Sequence, residues 1–538
     1  MSDEQGRSTA DRVLGRYTPS RDERLARQEE LLQTIVSQAK GSALYQGFPS
    51  VIGLDGLSAL PLTHYSSISD ALSRVGQDSV LASKPDFIFE TSGSTGDVKR
   101  IPLSLADVER IADDYALCMH MIGLRPSDHG WNVGGAYPLV SGEVMERTIA
   151  KIPLDRSLAT LLRRDTDLVT ALEKASRAER IDVVATATLL YFVMARTCRD
   201  PSYLEELVGG RLARDYRVPG FLSKVAARAY LRNVDQRRLT RLLSATRIGL
   251  SYAEPLTAYR DEITSTFPAI RMVDMYGSTE NPIMAAQLDP SSDGLCLIVD
   301  SFVAEIARPQ EVNASKADRS VRVEGVPWWH WKKGMRGELL LSRMGDCLPL
   351  LRYPTGDVIE VVDPDHPAKV CVGDGTGVVR LPLIKVLGRS VDVLDFEVQD
   401  ESGHFLGNKV YSRHINDALQ GAENVRWWEL YVVKGTPGRM VFVVIPDRAP
   451  SDVGSFHRVL LRRLVHECED PLHTFQTGET LGRFEMLVAP PEAYRSIQAE
   501  IDRRARQGRS VGQLKPKRIH TVTEDGLQAI LAARRGLV

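Results

Sequence analysis

Short apolar runs alternate along this chain with longer stretches whose apolar residues recur at helical spacing. Residues 1–40 read as a polar lead-in followed by an amphipathic helix. The run PDFIFE (85–90) is bounded by Pro and by a Gly-rich stretch, so it predicts a buried strand leading into a loop. IDVVATA (181–187), ATRIGLS (245–251) and IRMVDMY (270–276) predict further strands, with helix-rich segments between them. That alternation points to α/β layers around largely parallel sheets. The most apolar segment, VVATATLLYFVMA (183–195), is too short to span a bilayer and reads as a buried strand and helix.

From about residue 295 the pattern shifts to short strands split by Gly, Asp and Pro: GELLLSR, DVIEVVD and AKVCVGD. PWWHWKKG (327–334), just before them, reads as an exposed loop or edge with packed tryptophans. A smaller unit begins after LGRS (387–390). There WWELYVV and RMVFVVI flank KGTPG as a hairpin. The helix that follows places Phe456, Val459, Leu460 and Leu464 on one face. The expected fold is α/β: a large N-terminal domain of layered α/β subdomains with a β-rich subdomain (1–388), and a small α+β C-terminal domain (389–538).

Composition changes this picture little. The 538 residues are 43% hydrophobic and 26% charged, enough to build a large core. The formal net charge of -2 leaves no electrostatic footprint for nucleic acid. The six cysteines form no Cys-x-x-Cys pair, which argues against a zinc site or a disulfide framework and suits a reducing cytoplasm. The charged N-terminus lacks the apolar core of a secretory signal, and no membrane association is expected.

Four motifs carry candidate chemistry. In ETSGSTGDVKRIPLS (90–104), a Gly/Ser/Thr loop after a strand can turn main-chain amides and hydroxyls toward one anion, with Lys99 or Arg100 adding charge. The pattern differs from the Gly-x-x-x-x-Gly-Lys-Ser/Thr nucleotide loop. Taken alone it could be a flexible turn. In MYGSTENP (275–282), Tyr276 offers a stacking face, Thr279 a hydroxyl and Glu280 a hard oxygen ligand; the plain alternative is a turn capping a following helix. In YPTGD (353–357), Asp357 can accept two hydrogen bonds from vicinal ribose hydroxyls, or can simply close a turn. LGRSVD (387–392) sets Arg389 at the junction of the two domains, where an ordinary ion pair is the alternative.

In this order the four motifs resemble the adenylate-forming superfamily of acyl-CoA synthetases, peptide-synthetase adenylation domains and luciferases. The similarity covers about residues 60–520. The family's phosphate loop is matched by Thr91, Ser92, Gly93, Ser94, Thr95, Gly96 and Lys99. Its Tyr-Gly-x-Thr-Glu motif is matched from Tyr276 and Gly277 to Glu280, its ribose motif from Tyr353 to Asp357, and its hinge by Gly388 and Arg389. SYAEPLT (251–257), with Ala253 and Glu254, is similar to the segment lining the adenine and substrate pocket. LPLTHYSSI and NKVYSRHINDAL are similar in style to the phenylacetate-CoA ligase branch. GQLKPKRIHTV matches the family's C-terminal lysine motif, which points to Lys515, with Lys517 as the fallback. The sequence departs at Val98, at Pro354 and at Val391, which replaces the usual hinge aspartate while Asp392 keeps the second.

The resemblance implies an AMP-forming ligase using ATP and Mg²⁺, with CoA a candidate acceptor. Glu280 would hold the metal. Thr279 and Lys515 would join it in catalysis, Tyr276 would stack on adenine, and Asp357 and Arg389 would fix the ribose. Asn132, Tyr137 and Tyr252 are candidates for lining the substrate pocket, and the tyrosines favour an aromatic acid. The partners implied are a small-molecule acid and an acceptor thiol or amine. Two alternatives remain open from the sequence: a diazotase that activates nitrite for an aryl amine, and a non-catalytic nucleotide-binding relative. Oligomeric state is not legible.

Overall fold

The computed structural model describes residues 15, 20–49, 52–91, 98–152, 154, 156–159, 161–162, 166–200, 202–205, 208–209, 219–253, 256, 259–372, 375–390, 393–399, 405–419, 422, 424–433, 439–466, 475, 482–499 and 518–535. The described chain divides into two compact units. The first holds most residues up to Lys385; the second holds Gly356–Ile359 and the chain from Val386 onward.

In the first unit, helix α1 (Arg21–Ala39) opens with a capping box in which Ser20 and Glu23 satisfy each other's backbone amides. Strands β1 (Phe87–Glu90) and β2 (Arg100–Leu103) pair antiparallel as a small separate sheet. Only Phe89 of β1 is buried, so this strand is half-exposed rather than the buried strand its apolar run suggested. Helix α2 (Leu105–Ile122) follows, capped by Ser104 and ended by left-handed Gly123.

The remaining strands are β3 (His129–Val133), β4 (Arg156–Ala159), β5 (Val183–Ala187), β6 (Ile248–Tyr252), β7 (Arg271–Tyr276), β8 (Ala285–Ala286), β9 (Leu295–Leu297), β10 (Phe302–Ala307), β11 (Gly325–Pro327), β12 (Arg336–Arg343), β13 (Leu350–Val372) and β14 (Gly375–Arg389). They form one sheet in the order β11-β10-β12-β13-β14-β9-β8-β7-β6-β5-β3-β4. The run β4-β3-β5-β6-β7 is parallel; β8 and β9 turn it antiparallel. Helix α3 (Val140–Lys151) follows β3. On the opposite face of the parallel strands, Trp131, Val133, Val184 and Met272 join Tyr191, Leu239, Ile263 and Phe267 in a continuous apolar core.

One expectation needs correction here. DVIEVVD and the first five residues of AKVCVGD are not separate strands but parts of the single 23-residue β13. The intervening Asp-Pro-Asp-His-Pro does not break it, because a proline forfeits only its own donor and the Asp365 amide is met by Asp363 Oδ1 at 3.0 Å. The tryptophan cluster lies at the sheet edge, beside β11, with Trp328, Trp329 and Trp331 packed and buried, as expected of an edge. Two of the indole nitrogens donate inward: Trp328 to Gln28 Oε1 at 3.0 Å and Trp331 to the Val326 carbonyl at 2.8 Å. Five free cysteines, at 118, 198, 296, 347 and 371, all lie in this unit. Burial pushes the thiols of Cys296 and Cys347 up to about 12.

In the second unit, β15 (Val393–Gln399) pairs antiparallel with β16 (Phe405–Tyr411). Strands β17 (Val425–Val433) and β18 (Arg439–Pro446) are the expected antiparallel pair. They are flanked by β19 (Phe484–Val488) and β20 (Ile519–Val522) in the order β19-β18-β17-β20. Helix α4 (Val453–His466) packs on them through Leu460 and Leu464, with Phe456 partly buried. Val459 is half-exposed and does not join that face; it sits about 60° round the helix from Phe456, enough to leave the apolar stripe. Among the described residues no helix is long and apolar enough to cross a membrane.

Candidate functional site

The parallel strands end at one edge, where open α/β sheets place their ligands. Strand β7 ends at Tyr276, and the chain then folds into a tight turn before β8. The Ser278 amide donates to the Asn281 carbonyl at 3.0 Å, and the Met284 amide to the Tyr276 carbonyl at 2.9 Å. No helix follows, so Ser278 and Thr279 are turn residues and not helix caps. Gly277 is required here: a Cβ at this position would lie 1.9 Å from the Pro282 carbonyl oxygen. That carbonyl cannot easily yield, because the Tyr115 hydroxyl donates to it at 2.6 Å. Gly277→Ala is therefore expected to cost about 1–3 kcal/mol by overcrowding the turn, read as a lower thermal midpoint.

The turn delivers Glu280 to a buried position, only 3% exposed. Its Oε1 accepts from the Tyr353 hydroxyl at 2.5 Å and from Lys99 Nζ at 3.2 Å. Lys99 also donates to the Tyr353 oxygen at 2.9 Å, so the three groups close a triangle. The ammonium lies 5.4 Å from the centre of the Tyr353 ring and 5.7 Å from that of Tyr65. Burial alone would raise the Glu280 carboxyl, but the Lys99 charge and the Tyr353 hydrogen bond outweigh it and hold the group down to about 2. A carboxylate kept ionised and already facing a cation suits a hard divalent ion. Among the described residues no group of three or more His, Cys, Asp or Glu side chains forms a metal cage. A single carboxylate fits Mg²⁺, which takes few protein ligands and completes its shell with phosphates and water.

Lys99 is fixed at its backbone as well. Its amide donates to Thr91 Oγ1 at 3.0 Å, and its carbonyl accepts from the Thr91 amide at 2.9 Å. These bonds close the neck of the Gly/Ser/Thr loop. Ser92, Gly93, Ser94, Thr95 and Gly96 lie outside the described residues, as do Glu254, Val391, Lys515 and Lys517. In the second unit, Arg389 Nε lies 3.1 Å from Asp357 Oδ1, and the Ser390 amide donates to the Gly356 carbonyl at 2.8 Å. Arg518, three residues after Lys515, caps the same unit: it donates to the Trp428 carbonyl at 2.9 Å and stacks on Trp427 at 3.3 Å.

The substrate candidates divide. Strand register puts Asn132, Ala185, Ala187, Leu250 and Tyr252 on one face of β3, β5 and β6. Asn132 is fully buried and donates through Nδ2 to Glu146 Oε1 on α3 at 2.6 Å. Its Oδ1 and the Tyr252 hydroxyl meet no hydrogen-bond partner. Burial pushes the Tyr252 phenol up. Ala253, just beyond, holds a left-handed φ of 76°, a conformation that costs a non-glycine residue about 1–2 kcal/mol. Tyr137 is 52% exposed and meets Phe89 edge-on at 5.9 Å. Sequence reasoning missed the roles of Tyr353, Tyr65 and Glu146. Tyr353 opens the ribose motif, yet nothing in a linear pattern says that its hydroxyl faces Glu280.

No family model matches the sequence, and no curated protein does. Solved structures do match in shape. A 2-hydroxyisobutyryl-CoA ligase in the postadenylation state with R3-HIB-AMP superposes with a TM-score of 0.60 at 15% identity, covering 97% of this chain and 94% of that one. The GH3.15 acyl acid amido synthetase matches with a TM-score of 0.60 at 15% identity, covering 94% and 93%. The chain has the fold of the adenylate-forming ligases. Within that adenylate-forming fold, the Lys99–Glu280–Tyr353 triangle sits directly after β7, at the carboxyl edge of the parallel strands.

Proposed function

We propose that this protein is an ATP-dependent ligase that joins a carboxylic acid to AMP with release of pyrophosphate and then passes the acyl group to CoA or an amine. The observation that carries this reading is the buried, ionised Glu280 beside Lys99, in a fold shared with a CoA ligase and an amido synthetase. Adenylation brings a carboxylate to a polyphosphate, two anions, so catalysis is mainly charge neutralisation and alignment. Mg²⁺ held by Glu280 would neutralise phosphate charge. The loop clipped by Thr91 and Lys99 would cradle the phosphates, with Thr279 adding a hydroxyl. Tyr276 would stack on adenine beside Gly277 and Ala253. Asp357, oriented by Arg389, would accept from the ribose hydroxyls.

An aromatic acid is the substrate class this reading favours. Two small side chains on β5, Ala185 and Ala187, stand between Asn132 and Tyr252, and a flat group is the shape that this arrangement would take. Lys515 would meet the α-phosphate or the attacking oxygen. Lys515→Ala is expected to slow adenylation by about 10²–10³-fold while ATP affinity changes little. An unchanged rate would pass the role to Lys517. The deciding experiment is release of AMP and pyrophosphate across aryl acids, fatty acids and nitrite, each with and without CoA. Turnover with nitrite and an aryl amine alone would replace the acid reading with the diazotase one. No turnover under any condition would leave a nucleotide-binding relative.

A further inference from the structure

Glu280 takes its positive partner from within the chain. A buried carboxylate needs a positive partner, and here that partner comes from the chain itself. Lys99 Nζ lies 3.2 Å from Oε1, and Tyr353, fully buried, donates to the same oxygen and accepts from the same ammonium. We infer that Lys99 is a built-in placeholder for the divalent metal: it occupies the cation seat of Glu280 until metal and polyphosphate arrive together, and Tyr353 is the positioning residue that defines the seat. This rests on the reading of Glu280 as a metal ligand.

The physical argument is one of mutual exclusion. An ammonium and a divalent ion cannot share one carboxylate oxygen in a low-dielectric pocket, because like charges at contact repel strongly there. Lys99 can leave. Its side chain is 26% exposed, on a flexible four-carbon stem. Its backbone stays clipped to Thr91, at the neck of the loop. Released from Glu280, the ammonium swings from that fixed point toward the added phosphate charge. Metal alone therefore has to evict Lys99 without a phosphate to receive it, whereas metal with nucleotide supplies that anion. The two ligands bind cooperatively through one side chain.

The test is Mn²⁺ binding, followed by electron paramagnetic resonance, with and without a non-hydrolysable ATP analogue. Lys99→Met is expected to bind Mn²⁺ roughly tenfold more tightly than the parent without nucleotide, and to lose most of the enhancement that the analogue gives. Tyr353→Phe is expected to weaken Mn²⁺ binding several-fold in both conditions. Lys99→Gln serves as a second neutral variant should the methionine fail to fold. If neither neutral variant gains affinity for Mn²⁺ alone, the placeholder is overturned. Glu280→Gln separates the two ideas. If it abolishes Mn²⁺ binding while the lysine variants show no gain, Glu280 remains the metal ligand and the placeholder falls. If it leaves Mn²⁺ binding intact, the metal assignment falls and takes the placeholder with it.

Discussion

Glu280→Gln is expected to lower ATP–pyrophosphate exchange by about 10²–10³-fold, with ATP binding in the absence of metal no weaker than in the parent. The substitution keeps the shape of the side chain and its ability to accept from Tyr353 and Lys99, so the turn after β7 should persist. What it removes is the negative charge that a hard divalent ion requires. A neutral amide also presents less repulsion to an incoming polyphosphate, which is why binding and chemistry should separate. Exchange at saturating ATP, set beside equilibrium dialysis of ATP, reads both. Exchange within threefold of the parent would remove Glu280 from the reaction.

Arg352→Met is expected to destabilise the first unit by about 3–5 kcal/mol. Arg352 is fully buried and pairs with Glu305 through Nε at 3.0 Å. It also feeds the carbonyls of Ser58 at 3.0 Å, Leu60 and Val323 at 3.1 Å, tying two segments to the sheet. It does so from a left-handed backbone, with φ at 47°. Burial pushes the Glu305 carboxyl up against the pull of this guanidinium, so losing the arginine strands a carboxyl with no compensation. The double variant Arg352→Met/Glu305→Gln should recover a good part of the loss, because removing both charges costs less than leaving one. Urea midpoints for the parent, both single variants and the double variant close the cycle. A single-variant loss below about 1 kcal/mol would show that the carbonyl ties and the ion pair are dispensable.

Much of the layout was legible from local pattern. Strands at 183–187, 248–252 and 271–276 fall where apolar runs predicted them, because buried parallel strands leave an uninterrupted apolar signature. Asn132 and Tyr252 are legible as separate polar candidates, and strand register brings them together across two alanines. What stayed hidden depends on contacts distant in sequence. Tyr353 meets Glu280 across 73 positions and Lys99 across 254, separations that no linear motif encodes. The packed tryptophans at the sheet edge were legible, but their partner was not: Gln28, 300 positions away on α1, accepts from the Trp328 indole. Val459 and the 23-residue β13 show the limits of reading faces and breaks from residue type alone.

The interior cysteines have a practical consequence. With the thiols of Cys296 and Cys347 held near 12, almost none of either is thiolate at neutral pH, and the thiolate is the reactive form. A bulky sulfhydryl reagent should therefore reach these two only when the large unit opens, after the partly exposed Cys198 and Cys371 have reacted.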